Sequence, residues 1–231
     1  MLYAREKALF ENRYDAGQQL AERLLQYKGQ PVVVLAIPNG GAPVGMQIAL
    51  ALEAELDVVI SRKLPLPLNP EAGFGAVADD GNPIFNEQAV ADAGLTSHQI
   101  NYQVNQVRVV IRQRSLLYRK DRPLTVLTGK TAIIVDDGLA SGFTMLAAVE
   151  SVRRRKPEKI VAAVPVASLA ALERVKLVVD EVITVAIGTQ SRFAVADFYQ
   201  YWHDLSDQEA VQCFKEWQLR RFRAKLEPPP G

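Results

Sequence analysis

Residues 131–146 read TAIIVDDGLASGFTML, which sets an apolar run, two adjacent acids, two glycines and the hydroxyls of Ser141 and Thr144 side by side. The run IIV has the character of a buried strand, and Thr144 to Arg155 continues as a helix, so the residues between them form a strand-to-helix loop. Such a loop binds anions. Gly138 and Gly142 let backbone N–H groups turn toward one point, Ser141 and Thr144 add hydroxyl donors, and the helix N-terminus contributes partial positive charge. A phosphate monoester suits that nest. Asp136 and Asp137, ionised and acceptor-only, are poor company for a bare phosphate but suit neighbouring hydroxyl donors such as a ribose diol. The combination asks for a sugar phosphate. A polar turn with Ser141 as helix cap is the purely structural alternative, and it suits an isolated Asp-Gly turn better than this combination.

The elements that must position this loop alternate between strand and helix. Residues 4–27 repeat apolar side chains at helical spacing and close at Lys28-Gly29. PVVVLAI (31–37) is a buried strand and ends in the turn PNGG (38–41); Pro43 then suits the first turn of a helix to about Glu55, and LDVVIS (56–61) returns to strand. A βαβ unit results. Residues 62–95 form a long excursion rich in Pro, Gly, Asn and Asp, in which FGAVADDGNPIF reads as a hairpin turning at Asp80-Gly81. A helix over 96–119, capped by Thr96 or Ser97, leads into the basic cluster Arg108, Arg112, Arg114, Arg119, Lys120 and Arg122. Strands at 159–167 and 177–188 flank a short helix near Ser168, and Ser206 to Glu209 is a capping box for a last helix carrying Val211, Phe214 and Trp217. The fold class is therefore α/β, a mostly parallel central sheet flanked by helices with a hairpin and long-helix insertion. Right-handed crossovers bring the carboxyl ends of its strands to one edge, where PNGG, Arg62-Lys63 and DDGLASG converge.

In this order, the apolar strand, paired acids, glycines and threonine of IIVDDGLASGFT resemble the phosphoribosyl diphosphate (PRPP) motif of the type I phosphoribosyltransferases. The resemblance spans about residues 30–190 and carries its own assignments. It implies that Asp136 and Asp137 bind the ribose, and that Gly138, Leu139, Ala140, Ser141, Gly142 and Thr144 bind the 5-phosphate. It places the diphosphate against Asn39, Gly40 and Gly41, across a non-proline cis peptide expected at Asn39-Gly40. It gives Lys63 and Arg62 the catalytic role of facing the departing diphosphate. Mg²⁺ is the implied cofactor, carried in by PRPP rather than held in a protein cage, and the partners are PRPP and a small-molecule acceptor. The implied reaction is transfer of ribose 5-phosphate to a nitrogenous base or related acceptor. The chain also departs from the family: Ala140 stands where 6-oxopurine enzymes carry an acid, Phe143 replaces a small or polar residue, and Gly40 lacks a polar side chain. Those departures motivate the alternative of a catalytically silent PRPP-binding regulator.

Composition narrows the remaining classes. At 231 residues and 48% hydrophobic, the chain can bury a sizeable core, and one domain is expected over 1–225, its C-terminal hood and helix over about 189–225, before a flexible tail at 226–231. With 27 basic against 26 acidic residues, overall charge offers no reason to expect nucleic acid, and the basic cluster reads as an exposed helix face or a contact in a homodimer. The charged N-terminal residues lack a signal-peptide core and no apolar run reaches spanning length, so a cytoplasmic protein with no membrane partner is expected. Cys213 is expected to be a buried, inert thiol, and His98 and His203 lack metal-ligand spacing. Phe193, Phe198, Tyr199, Tyr201 and Trp202 suit either a stacked base or a packed core.

Overall fold

The structure, a computed structural model, describes residues 8–67, 69–120, 123–190 and 192–226. In chain order its elements are α1 (Arg13–Glu22), β1 (Val32–Ala36), α2 (Gly41–Ala51), β2 (Glu55–Val58), β3 (Ser61–Leu66), β4 (Asn69–Ala78), β5 (Pro83–Phe85) and α3 (Glu87–Asp92). These are followed by α4 (Ser97–Arg119), β6 (Thr131–Val135), α5 (Phe143–Arg153), β7 (Lys159–Ser168), α6 (Leu169–Lys176), β8 (Glu181–Gly188) and α7 (Asp207–Leu226). Five strands form a parallel sheet in the order β2-β1-β6-β7-β8, and β3-β4-β5 form a separate antiparallel sheet.

Alternation along β1 divides the core. Val32, Val34 and Ala36 join α2, Leu20, Leu24 and Trp217 on one face of the parallel sheet, whereas Val33 and Leu35 join the side chains of α5 and α6 on the other. Every residue of β1 is buried, which explains the unbroken apolar run where a one-sided sheet would alternate. The antiparallel sheet rests on α5: Ala76 and Ala78 pack on Ala147, with Ile84 and Phe143 beside them. Small side chains on both surfaces let the hairpin lie close to the helix that opens at the candidate loop.

Two sequence expectations are corrected here. Of the helix expected over 4–27, residues 4–7 lie outside the described part, and residues 8–11 are not helical: Asn12 caps α1 by accepting from the N–H groups of Tyr14 and Asp15. Phe10 instead bridges Tyr199 in parallel, with its N–H 2.9 Å from the carbonyl of Phe198. At the other end α7 includes Leu226, where a tail was expected to begin; residues 227–231 lie outside the described part. The capping box at Ser206 and Glu209 and the one at Thr96 are both formed.

Candidate functional site

A cleft of ≈ 380 Å³ opens at the carboxyl edge of the parallel sheet, lined by Lys63, Gly73, Asp136, Phe143, Val195 and the loop from Gly138 to Thr144. The loop is fixed from below. Leu139 exchanges backbone bonds with Val166 and Ser168 (2.9 and 2.8 Å), Ser168 Oγ donates to the Ala140 carbonyl at 2.7 Å, and Arg174 donates to the Ser141 carbonyl. With these carbonyls turned into the protein, the N–H groups of Ala140, Ser141 and Gly142 have no acceptor among the described residues, and Ala140 and Ser141 are exposed. Phe143 and Thr144 begin α5, so the free donors continue into its positive N-terminal end.

The glycines serve different needs. Gly142 has φ +82°, a left-handed conformation that lets the chain enter α5. Gly138 is required by space, because a Cβ there would lie 2.6 Å from Val195 and 3.1 Å from Val166. The motif alone suggests backbone freedom for both and does not separate the two needs.

The two acids part company. Asp136 lines the cleft, its carboxylate accepting from the N–H of Asp137 at 2.9 Å; burial, reinforced by the charge of Asp137, holds its carboxyl well above the usual range. Asp137 turns away and accepts from Arg13 Nε at 2.8 Å, in a pair that is 6% and 15% exposed. Arg13 in turn lies 3.8 Å from the centroid of the Trp202 ring and donates to the carbonyl of His203 at 3.0 Å, while Tyr199 donates to the carbonyl of Asp137 at 2.7 Å. Most of the aromatic patch packs together here. Tyr199, Phe193, Phe198 and Trp202 pack with Phe10 and Val166 as a small core that backs Asp137, and Tyr201 is 41% exposed.

The turn after β1 abuts the same acid. A Cβ on Gly40 would lie 2.0 Å from Asp137 Oδ2, and one on Gly41 would lie 2.5 Å from the carbonyl of Val135. The bare Gly40 is therefore a packing requirement in this chain. The cis peptide is Pro38–Asn39, one residue earlier than expected. Gly40 is already αR and caps α2, and the N–H of Ala42 reaches the carbonyl of Asn39 at 3.1 Å, so the turn into the helix takes up the Asn39–Gly40 step.

Arg62 and Lys63 are neighbours in sequence but do not both line the cleft. Both lie on β3 rather than in a loop, so they point to opposite faces. Lys63 lines the cleft, its stem over Gly73, and β3 is fixed to the loop by Ser61 Oγ donating to the carbonyl of Thr144 at 2.8 Å. Arg62 lies away from that lining, in the surroundings of Tyr118, Arg114 and Asp207; burial and then the charge of Arg114 lower its hold on its proton. Tyr118 donates to Asn39 Oδ1 at 2.8 Å, so this cluster backs the 38–41 turn.

The basic segment is less exposed than its composition suggests. Arg119 is buried against Asp79, Arg114 pairs with Asp207 at 2.9 Å, and Arg108 donates to the Gly81 carbonyl at 2.8 Å; Arg122 lies outside the described residues. Cys213 is buried, and burial raises its thiol. Among the described residues no group of three or more His, Cys, Asp or Glu side chains is placed to hold a metal, and no helix is long and apolar enough to cross a membrane.

The family model of the phosphoribosyl transferase domain matches residues 7–199. Two Mycobacterium tuberculosis proteins, named “Putative phosphoribosyl transferase MT0597” and “Putative phosphoribosyl transferase Rv0571c”, are each 38% identical over 203 residues, covering 88% of this chain and 46% of theirs. The chain thus spans about half the length of those relatives. The crystal structure of TT1426 from Thermus thermophilus superimposes with a TM-score of 0.72 at 35% identity, covering 90% of this chain and 98% of that one. With the loop, acids and sheet edge in place, the match over most of the chain establishes that it belongs to the phosphoribosyl transferase domain family.

Proposed function

We propose that the chain transfers ribose 5-phosphate from PRPP to a nitrogenous acceptor with release of diphosphate. One observation carries this reading: free backbone donors at the start of α5, the Asp136 carboxylate and the Lys63 ammonium surround a single cleft. A phosphate monoester fits the donors of residues 140–144, and a ribose diol can donate to Asp136. Lys63 lies on the hairpin side, where charge on a departing diphosphate would be offset. In the reaction the acceptor nitrogen forms a bond to C1 as the C1–O bond to diphosphate breaks, with inversion and an oxocarbenium-like transition state. The acceptor's proton leaves to solvent. The protein's contribution is positioning and preorganised charge, and no covalent nucleophile is needed.

Asp136 is the ribose-facing acid in this scheme, and Asp137 holds the 38–41 turn and the aromatic core in register with it. Arg62 acts at the diphosphate end through the Tyr118 and Asn39 cluster. Mg²⁺ prefers oxygen ligands and retains waters, so it would arrive on PRPP and supply charge neutralisation at the diphosphate. Asp136 is the acid that lines the cleft, and its oxygens could be shared with a metal carried by the substrate, whereas the loop presents N–H donors. The test incubates the protein with PRPP, Mg²⁺ and a panel of nucleobases and related amines and follows diphosphate release. Release with one class of acceptor supports the transferase; PRPP binding without turnover on any of them favours the regulator.

A further inference from the structure

A second cavity, of ≈ 400 Å³, lies between the carboxyl ends of α4 and α5, where Ser115, Arg119, Lys120, Ser151, Arg154 and Arg155 meet the Asp79-Asp80 turn. Basic residues at helix carboxyl ends are ordinary, since they complement the negative end of the dipole. Among the described residues four cations line this hollow, which exceeds that need, because the two acids that line it with them are already engaged. Asp79 accepts from Ser151 Oγ and from Arg119 Nη2, both at 2.7 Å, and Asp80 accepts from Asn82 and Arg154.

Positive charge is in surplus. Arg119 is 6% exposed, yet its Nε is buried with no hydrogen-bond partner among the described residues. That Nε has no accessible surface, so a ligand in the cavity meets the charge of Arg119 and not this N–H; its Nη groups are held by Asp79, Ser115 and the carbonyl of Val58. Arg155 spends one donor on the Thr125 carbonyl at 2.6 Å, and burial lowers its hold on its proton. Lys120 and Arg154 stand exposed at the mouth. Acceptor-rich dianions match this set in charge and in number of acceptor atoms.

We propose that this cavity is a second anion site, which takes the phosphate group of a small phosphorylated molecule. The site also touches the hairpin. Asp79 directly follows β4, whose Ala76 is the register partner of Lys63 and whose Gly73 and Gly75 line the cleft. An anion bound against Arg119 and Arg154 therefore acts on the strand that forms one wall of the cleft.

The test titrates inorganic diphosphate, AMP and ribose 5-phosphate calorimetrically into the Thr144→Asp chain, whose added charge blocks the loop at the cleft. One site is expected to remain for diphosphate, and the AMP and ribose 5-phosphate arms show whether a base or a sugar adds to it. Adding Lys120→Gln and Arg154→Gln should weaken that binding by at least about tenfold, the loss expected from a charge-assisted bond. Lys120→Gln alone, at an exposed position, should weaken it severalfold and guards against a loss caused by a loosened Asp80 turn. Amide exchange across residues 72–78 should slow when diphosphate is added. No binding to the Thr144→Asp chain, or binding unchanged by the double substitution, overturns the site; unchanged exchange overturns its link to the hairpin. Failure of the cleft reading would appear separately, as absent PRPP binding to the unaltered chain.

Discussion

Arg13 and Asp137 show how a single distant pair supports the site. Removing Arg13 leaves a carboxylate with little access to water beneath the 38–41 turn, and breaking a buried pair from one side costs about 3 kcal/mol. Arg13→Ala is therefore expected to lower the urea midpoint by that equivalent and to weaken PRPP binding; a loss under about 0.5 kcal/mol, the range of neutral surface changes, would show that the pair is dispensable. Asp136 makes the opposite contribution. Its folded carboxyl holds its proton more tightly than an unfolded one, chiefly through burial, so stability falls as pH rises from the ordinary carboxylate range through the raised value. Asp136→Asn should be the more stable protein above that window, match the wild type below it, and bind PRPP more weakly. A stability difference that does not vary with pH would contradict the assignment. Lys63→Ala, which removes one preorganised charge from the cleft, should reduce the rate by on the order of a hundredfold with little change in stability, as measured by diphosphate release. Residue type and order mark the Asp136-Asp137 pair and the loop in the sequence, whereas Lys63 enters only through the family resemblance. Nothing there marks Arg13, whose partner is 124 residues away, because a long-range ion pair has no local spacing.

At the scale of elements, capping is the most legible feature and strand direction the least. Thr96, Ser168 and Ser206 are all readable as helix starts, because a side chain that accepts from the backbone two or three residues on is a local event. The stretch at Arg62-Lys63 reads as loop because its prolines and glycines outweigh its alternation, and that reading hides the opposite orientation of the two cations. The cap on α7 offers a pH test. Glu209 accepts from the Ser206 N–H and hydroxyl and pairs with His203, which together lower its carboxyl to about 2. Stabilisation from a depressed acid is present above its unfolded pKa and is lost as pH falls through the folded value. The difference in melting temperature between wild type and Glu209→Ala, about 2 °C at neutral pH for a single capping contact, should shrink between about pH 4.5 and 2. A difference that persists unchanged at pH 2 would mean that the carboxylate is not what stabilises the cap.

For the whole molecule, strand and helix alternation forecasts the parallel sheet, because buried parallel strands leave continuous apolar runs and crossovers have one hand. The separate sheet of β3, β4 and β5 is visible in the sequence only as a hairpin, since β3 pairs with β4 through a bulged register that no period-2 pattern encodes. What that architecture accomplishes is to carry one cation from the small sheet and one acid from the large sheet to either side of the same donor-rich loop. The most direct test of that convergence is calorimetric titration of PRPP with Mg²⁺ into the wild-type chain and into Asp136→Asn. Saturable one-to-one binding by the wild type, at least about tenfold weaker in the variant, is the predicted result. No heat with the wild type, or equal affinity in both, would contradict it.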